Sequence, residues 1–302
     1  MAISLIATCK THYSSPTGER CKYAGHSVKA LPIRILTVGK KRSPGVQLIV
    51  DDYIDKLKHY CRVEDVRVKS NPKNARDIIA QIEHEDMAVM DLIRSNEWVV
   101  MLDEHGLDVG SEQMASLIGD AGNKGASSLL LCIGGPYGHG RQLRERANVS
   151  IKLSTLVLNH EIALVVLCEQ LYSYSFQDWA VLKLAERPFE RSRDIMAQIE
   201  HEDMAVMDLI RSNEWVVMLD EHGVDVRSEQ MASLIGDAGN KGASSLLFCI
   251  GGPYGHGRQL RERANVSIKL STLVFNHEIA LVVLCEQLYR AWTILKGQKY
   301  HH

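Results

Sequence analysis

The chain has no apolar run near the length that a membrane crossing requires. The longest beside a helical pattern, Ile162 to Cys168 and again Ile279 to Cys285, falls far short of the roughly 20 residues a spanning helix needs. It has little surplus of charge. A formal net charge of −2 over 302 residues excludes a broadly basic nucleic-acid coat and leaves room only for a local basic patch. Its seven cysteines (Cys9, Cys21, Cys61, Cys132, Cys168, Cys249 and Cys285) contain no C-x-x-C pair, which points to buried free thiols in a reducing compartment. No metal ligand set is expected. Phosphate-loop GKS and GKT are absent, and the GHGRQL segment after Tyr137 lacks the third glycine of a dinucleotide fingerprint. What remains, at 45% apolar and 24% charged residues, is the composition of a soluble globular protein.

The chain does have a long internal repeat. Shifting it by 117 positions lays Arg76 to Tyr172 on Arg193 to Tyr289, and five of the 97 pairs differ: Ile79/Met196, Leu107/Val224, Gly110/Arg227, Leu131/Phe248 and Leu158/Phe275. Four of these exchange one apolar side chain for another, which a core of one shape tolerates. The period far exceeds that of solenoid units, so this is a domain-sized duplication. Residues 32–75 and 290–302 have no second occurrence. Each copy therefore misses one end, and joining residues 1–75 to 193–302 would restore both.

Residues 1–31 stand apart. They hold one acid, Glu19, against Lys10, Arg20, Lys22 and Lys29, with several hydroxyl residues. That pattern fits a chloroplast or mitochondrial transit peptide, so this stretch is set outside the fold. The resulting division is 1–31 as transit peptide, 32–172 as a first copy without a tail, 173–192 as linker, and 193–302 as a second copy without the amino-terminal layer but with the tail.

Periodicity predicts strand and helix in alternation: strand 33–38, helix 46–60, strand 62–68, helix 75–92, strand 98–102, helix 111–121 capped by Ser111, strand 128–133, a short helix from Arg141, strand 149–153 and helix 160–172. Alternation of this kind implies an α/β fold with a mostly parallel, covered sheet. Ligands collect there at the carboxyl ends of strands. GGPYGHG follows such an end in both copies, with Gly134 and Gly135, or Gly251 and Gly252, offering bare backbone. By spacing alone this is as much a tight turn as a cofactor loop.

Its neighbours decide for the loop. A strand ending in LD-x-x-G, then IGGP-x-G, then LS-x-L-x-x-x-H, then the terminal EQLYRAW…KYHH occur in that order. With these motifs the chain closely resembles the RlmH (YbeA-type) family of SPOUT methyltransferases, from Pro32 to Ala75 and on through the second copy to His302. The resemblance implies a trefoil-knotted parallel sheet with flanking helices, its middle part duplicated here. It implies S-adenosylmethionine as cofactor, a homodimer or an internal pseudo-dimer, no membrane, and N3-methylation of a pseudouridine in ribosomal RNA of the large subunit. Carried over position by position, cofactor contacts fall at Leu219, Gly252 and Ser271, Thr272, Leu273, Val274, Phe275 and Asn276. Their first-copy equivalents are Leu102, Gly135 and Ser154, Thr155, Leu156, Val157, Leu158 and Asn159. The resemblance assigns Arg290, Tyr300 and His301 to the target base, as catalytic residues. Many members carry an Arg four positions after the motif histidine, where this chain has Leu164 and Leu281.

The first copy runs from Tyr172 into SYSFQDW and lacks counterparts of Arg290, Tyr300 and His301. The second copy is thus the better candidate for the knotted, active unit. Three readings stay open: an internal pseudo-dimer, a first copy serving as scaffold or RNA-binding module, and a duplicated-exon insertion. The alternative to an enzyme is a catalytically inactive SPOUT-like RNA-binding or dimerisation module.

Overall fold

The computed structural model describes residues 2–7, 31–184, 190–252 and 254–298. In chain order the elements are β1 (Ala2–Ala7), β2 (Ile33–Gly39), α1 (Pro44–Leu57), β3 (Val63–Lys69), α2 (Ile78–Met90), β4 (Glu97–Asp108), α3 (Ser111–Asn123), β5 (Ser128–Ile133), α4 (Arg141–Arg146), β6 (Val149–Lys152) and α5 (His160–Leu184). They continue with α6 (Glu190–Met207), β7 (Glu214–Asp225), α7 (Ser228–Asn240), β8 (Ser245–Ile250), α8 (Arg258–Arg263), β9 (Val266–Lys269) and α9 (His277–Leu295). The α/β alternation expected from periodicity is what folds. Two compact units result: a first, with residues 31–154 and 158–182, and a second, with residues 2–7, 155–157 and 183–298 among those described.

The first unit holds a five-stranded parallel sheet in the order β3-β2-β5-β4-β6. Every residue of β5 is buried, as a central parallel strand covered on both faces requires. Leu36, Val38, Val99, Met101, Leu130, Cys132 and Leu143 form its core on one face. Arg34 of β2 is buried there too, and its guanidinium meets the Glu97 carboxylate at 2.8 Å. On the other side α1 covers α5: Tyr53 and Tyr60 pack on Tyr172 with centroids 6.0 and 6.4 Å apart, and Glu161 accepts bonds from the backbone and hydroxyl of Ser43.

The second unit repeats the scheme with four parallel strands, β1-β8-β7-β9. Here a correction is due. Residues 1–31 were set outside the fold, yet β1 pairs with β8 in the register Ile3↔Leu246. In the first sheet β2 pairs Ile33↔Leu129, and Leu246 is the duplicate of Leu129. So β1 takes in the second sheet the register that β2 takes in the first. A bare β8 edge is an unpaired row of N–H and C=O groups, and the β-prone ISLI run satisfies it. The expected linker differs as well: residues 173–184 continue α5, and α6 begins at Glu190.

Two local expectations shift. Strand 98–102 extends to Asp108, with a register break between Leu102 and Leu107. Gly106, the last residue of LD-x-x-G, allows this, since a Cβ there would lie 2.5 Å from the Ile151 backbone. Ser111 does not cap α3; Gly110 holds the cap position and its N–H donates to Gln113. Ser111 is the first helical residue, and its hydroxyl donates to Gln170.

Candidate active site

In the second unit β7 lies between β8 and β9, and Leu219, the last residue before the register break in β7, pairs with Ile250 on one side and Ile268 on the other. Those are the last strand residues before the GGPYGHG turn and close to the last before the 270–276 loop. Both loops therefore leave the sheet beside Leu219. The first unit repeats this with Leu102 between Ile133 and Ile151. The resemblance-derived positions Leu219, Gly252 and Ser271–Asn276 thus share one carboxyl edge.

A polar staple fixes the turn to the strand end. His256 Nε2 lies 2.8 Å from the Leu219 carbonyl, and His139 Nε2 lies 2.7 Å from that of Leu102. A carbonyl only accepts, so Nε2 carries the proton in both rings. Burial holds both imidazoles below their ordinary value, so they stay neutral at neutral pH. Arg261 then meets Asp220 at 2.7 Å and its Nε donates to the His256 carbonyl; Arg144 does the same with Asp103 and His139. Burial pushes both aspartate carboxyls up, but the backbone N–H of His222 or His105 and the guanidinium outweigh it and hold them below the usual range.

Beyond the turn, the Asp203 carboxylate accepts from the N–H groups of Gln259 and Leu260 at 2.7 and 3.0 Å, and Asp86 from those of Gln142 and Leu143 at the same distances. These are two of the orphan donors that open α8 and α4. Gly257 and Gly140 are required for it, because a Cβ would stand 2.3 Å from the carboxylate carbon. The sequence motifs mark this turn by its glycines and give no role to His139, Arg144, Asp86, Asp103 or their duplicates. The signal available was Asp and His inside motifs already chosen for their glycines.

In the loops, Ser271 is buried and its hydroxyl accepts from the Leu273 N–H. Leu273 is buried; Thr272, Val274 and Phe275 are half-buried. Asn276 caps α9 through Ile279 N–H, as Asn159 caps α5 through Ile162 N–H, and both carbonyls accept from the first turn of their helices. Ser154 and Leu156 are buried, and Leu158 is half-buried. Residues 155–157 count with the second unit. There the Thr155 hydroxyl donates to the Val226 carbonyl, Val157 N–H to the Ser228 hydroxyl, and Gln287 Nε2 to the Val157 carbonyl.

Arg290 sits inside α9, 7% exposed, with its guanidinium 3.1 Å from Glu286. Its duplicate position is Ser173, whose hydroxyl donates to the matching Glu169. Leu164, four positions after the motif histidine, is fully buried. Tyr300 and His301 lie outside the described residues. No group of metal-ligating side chains occurs among the described residues, and none of the described helices is long and apolar enough to cross a membrane.

A family model described as "Predicted SPOUT methyltransferase" matches residues 31–175 and again 174–301. The chain belongs to the SPOUT methyltransferase family. The SPOUT methyl donor is S-adenosylmethionine. A protein of Arabidopsis thaliana described as "Putative RNA methyltransferase At5g10620" is 58% identical over 191 residues, covering 61% of this chain and 97% of that protein. "Ribosomal RNA large subunit methyltransferase H" of Clostridium novyi is 33% identical over 46% of this chain and 91% of its own length. A crystal structure of the SpoU methyltransferase AviRb from Streptomyces viridochromogenes with AdoMet aligns over 52% of this chain and 62% of that one, with a TM-score of 0.27 and 16% identity, too slight a likeness to bear on the fold.

The residues present fit such a donor. Backbone groups of the turn and apolar Leu219 and Leu273 suit an adenine edge and face. In the first unit a buried carboxylate oxygen beside Gly135, Oε2 of Glu85, has no partner, which suits a cationic ligand.

Proposed function

We propose that this SPOUT enzyme methylates N3 of a pseudouridine in large-subunit ribosomal RNA. The observation that carries the reading is the central-strand edge, where Leu219, the stapled GGPYGHG turn and the 271–276 loop adjoin. The printed names of the relatives, RNA methyltransferase and ribosomal RNA large subunit methyltransferase H, support RNA as the substrate.

S-adenosylmethionine brings an already activated methyl group, so the chain's work is binding, orientation and exclusion of water. Leu219, Gly252 and Ser271–Asn276 hold the donor, as do Leu102, Gly135 and Ser154–Asn159 where the first copy is used. His256 and His139 keep the turn in place rather than exchanging protons, since their Nε2–H is committed to a carbonyl. Glu286 orients Arg290, which faces the charge that develops on the base. S-adenosylmethionine would supply the methyl group to N3 and leave as S-adenosylhomocysteine once its methyl–sulfur bond breaks, while His301, assisted by Tyr300, takes the N3 proton. The knotted threading, a dimer made from two chains or from the two copies, and import into a chloroplast or mitochondrion belong to the same proposal. Two family matches in one chain and the acid-poor start support the last two.

The test is transfer from methyl-labelled S-adenosylmethionine to large-subunit RNA carrying either pseudouridine or uridine, read by nucleoside mass spectrometry. Methylpseudouridine should form only on the first, and both Arg290→Ala and removal of residues 299–302 should cut transfer by roughly 100-fold or more while leaving cofactor binding intact. Methylation at another atom, or full activity without the tail, overturns the assignment.

A further inference from the structure

Glu85 of α2 is a buried carboxylate half of which is satisfied. It is 3% exposed, and its Oε1 accepts three hydrogen bonds: from the Ser70 hydroxyl at 2.8 Å, the Asn71 N–H at 2.7 Å and Gln81 Nε2 at 2.8 Å. Oε2 is buried without a hydrogen-bond partner. A carboxylate oxygen left so is unusual enough to need a reason. It is aimed at the cofactor turn: a Cβ on Gly135 would lie 2.7 Å from Oε2 and 3.2 Å from Val38, so glycine there is what gives the oxygen its place.

We propose that Glu85 Oε2 is a contact of the first-copy site for the methyl donor, accepting a hydrogen bond from an N–H or O–H group of S-adenosylmethionine or facing the positive charge of its sulfonium, which has no proton to donate. This rests on the reading of the turn as a cofactor wall. S-adenosylmethionine carries a sulfonium, an ammonium, two hydroxyls and an exocyclic amine, and a buried anionic acceptor favours the cationic groups among them. The duplicate supplies an internal control. Glu202 has the same sequence surroundings on its own helix, yet it is half-buried, takes a bond from Gln198, and lines a small cleft with Ile250, Gly255 and His256. In sequence, Arg187 and Pro188 stand where Ser70 and Asn71 stand in the first copy. Among the described residues, Glu85 is held by three donors with a buried oxygen to spare, and Glu202 is half-buried with its bond from Gln198.

The experiment is calorimetric titration of the full chain, and of its Glu85→Gln, Glu85→Asp and Glu202→Gln variants, with S-adenosylmethionine, S-adenosylhomocysteine and methylthioadenosine. Glu85→Gln should weaken a S-adenosylmethionine site by roughly 10- to 100-fold, Glu85→Asp should restore part of it, and Glu202→Gln should leave that site unchanged. If methylthioadenosine is weakened equally, the contact is to the nucleoside; if it is spared while both longer ligands weaken, the contact is to the ammonium; if S-adenosylmethionine alone weakens, it is to the sulfonium. Each of these supports the proposal. Unchanged affinities in Glu85→Gln, with the thermal midpoint of the protein also unchanged, overturn it. Should the unaltered chain bind none of the three ligands, the cofactor reading of the turn fails with it.

Discussion

A histidine in a glycine-rich turn invites an acid–base role, and in this chain that role is closed at the level of single atoms. His139 and His256 each give Nε2–H to a strand-end carbonyl and are buried, which lowers their proton affinity from the ordinary value near 6.5. The consequence for stability has a definite sign. Between the folded and ordinary values the unfolded chain takes up more protons, so this contribution is complete above about pH 6.5 and is lost as pH falls through the folded value. Replacing both by Gln, whose amide N–H can still reach the carbonyl, should shrink the drop in urea midpoint between about pH 7.5 and about pH 5.5. Asp103 and Asp220 act in a lower window, because their carboxyls are held below the ordinary carboxylate range. An undiminished drop in the double variant would show that the rings are not buried neutral. None of this was legible in the sequence, where GHG shows the ring but not the carbonyl it meets.

Among the elements, α5 and α9 are the chain's own controlled comparison, because Cys168 is buried on α5 while its duplicate Cys285 is exposed on α9. Cys168 is fully buried beneath the α1 layer, and burial, with Asp65 nearby, pushes its thiol up to about 12; Cys285, its duplicate, is exposed. Tyr172 packs against Tyr53 and Tyr60, whereas Tyr289 is 59% exposed. Tyr172→Ala should then cost about 1–3 kcal/mol and Tyr289→Ala, at a largely exposed position, less than Tyr172→Ala, by urea unfolding. Brief alkylation of the native protein followed by peptide mass spectrometry should mark Cys285 and spare Cys168. Equal costs and equal labelling would mean that the two helices share one environment. Periodicity had found both helices and their apolar stripe, since spacing within a helix is local. Which stripe is covered depends on residues 32–75, more than a hundred positions away, and occurs once.

At the scale of the whole molecule, the outcome turns on how two near-identical segments share one amino-terminal layer. The second sheet recruits β1 in the register that β2 holds in the first. Removing residues 1–31 leaves β8 without its β1 partner. In hydrogen exchange the amides of Ser245–Ile250 should then lose protection by about tenfold or more, while those of Ser128–Ile133 keep theirs. Leu131 and Phe248 give the two peptides different masses. Identical protection of β8 with and without residues 1–31 would remove β1 from the sheet.

The α/β alternation, the duplication, the SPOUT motifs and the position of the turn are legible along the chain, because each is written in local spacing or in adjacent residues. That residues 2–7 join a sheet, that α5 runs on past Tyr172, and that Glu85 and Arg290 meet the partners they do follows from folding in three dimensions. Those outcomes depend on strand edges and carboxylates finding donors from distant segments, and the free energy of satisfying a buried polar group is set by whatever the fold brings within about 3 Å of it.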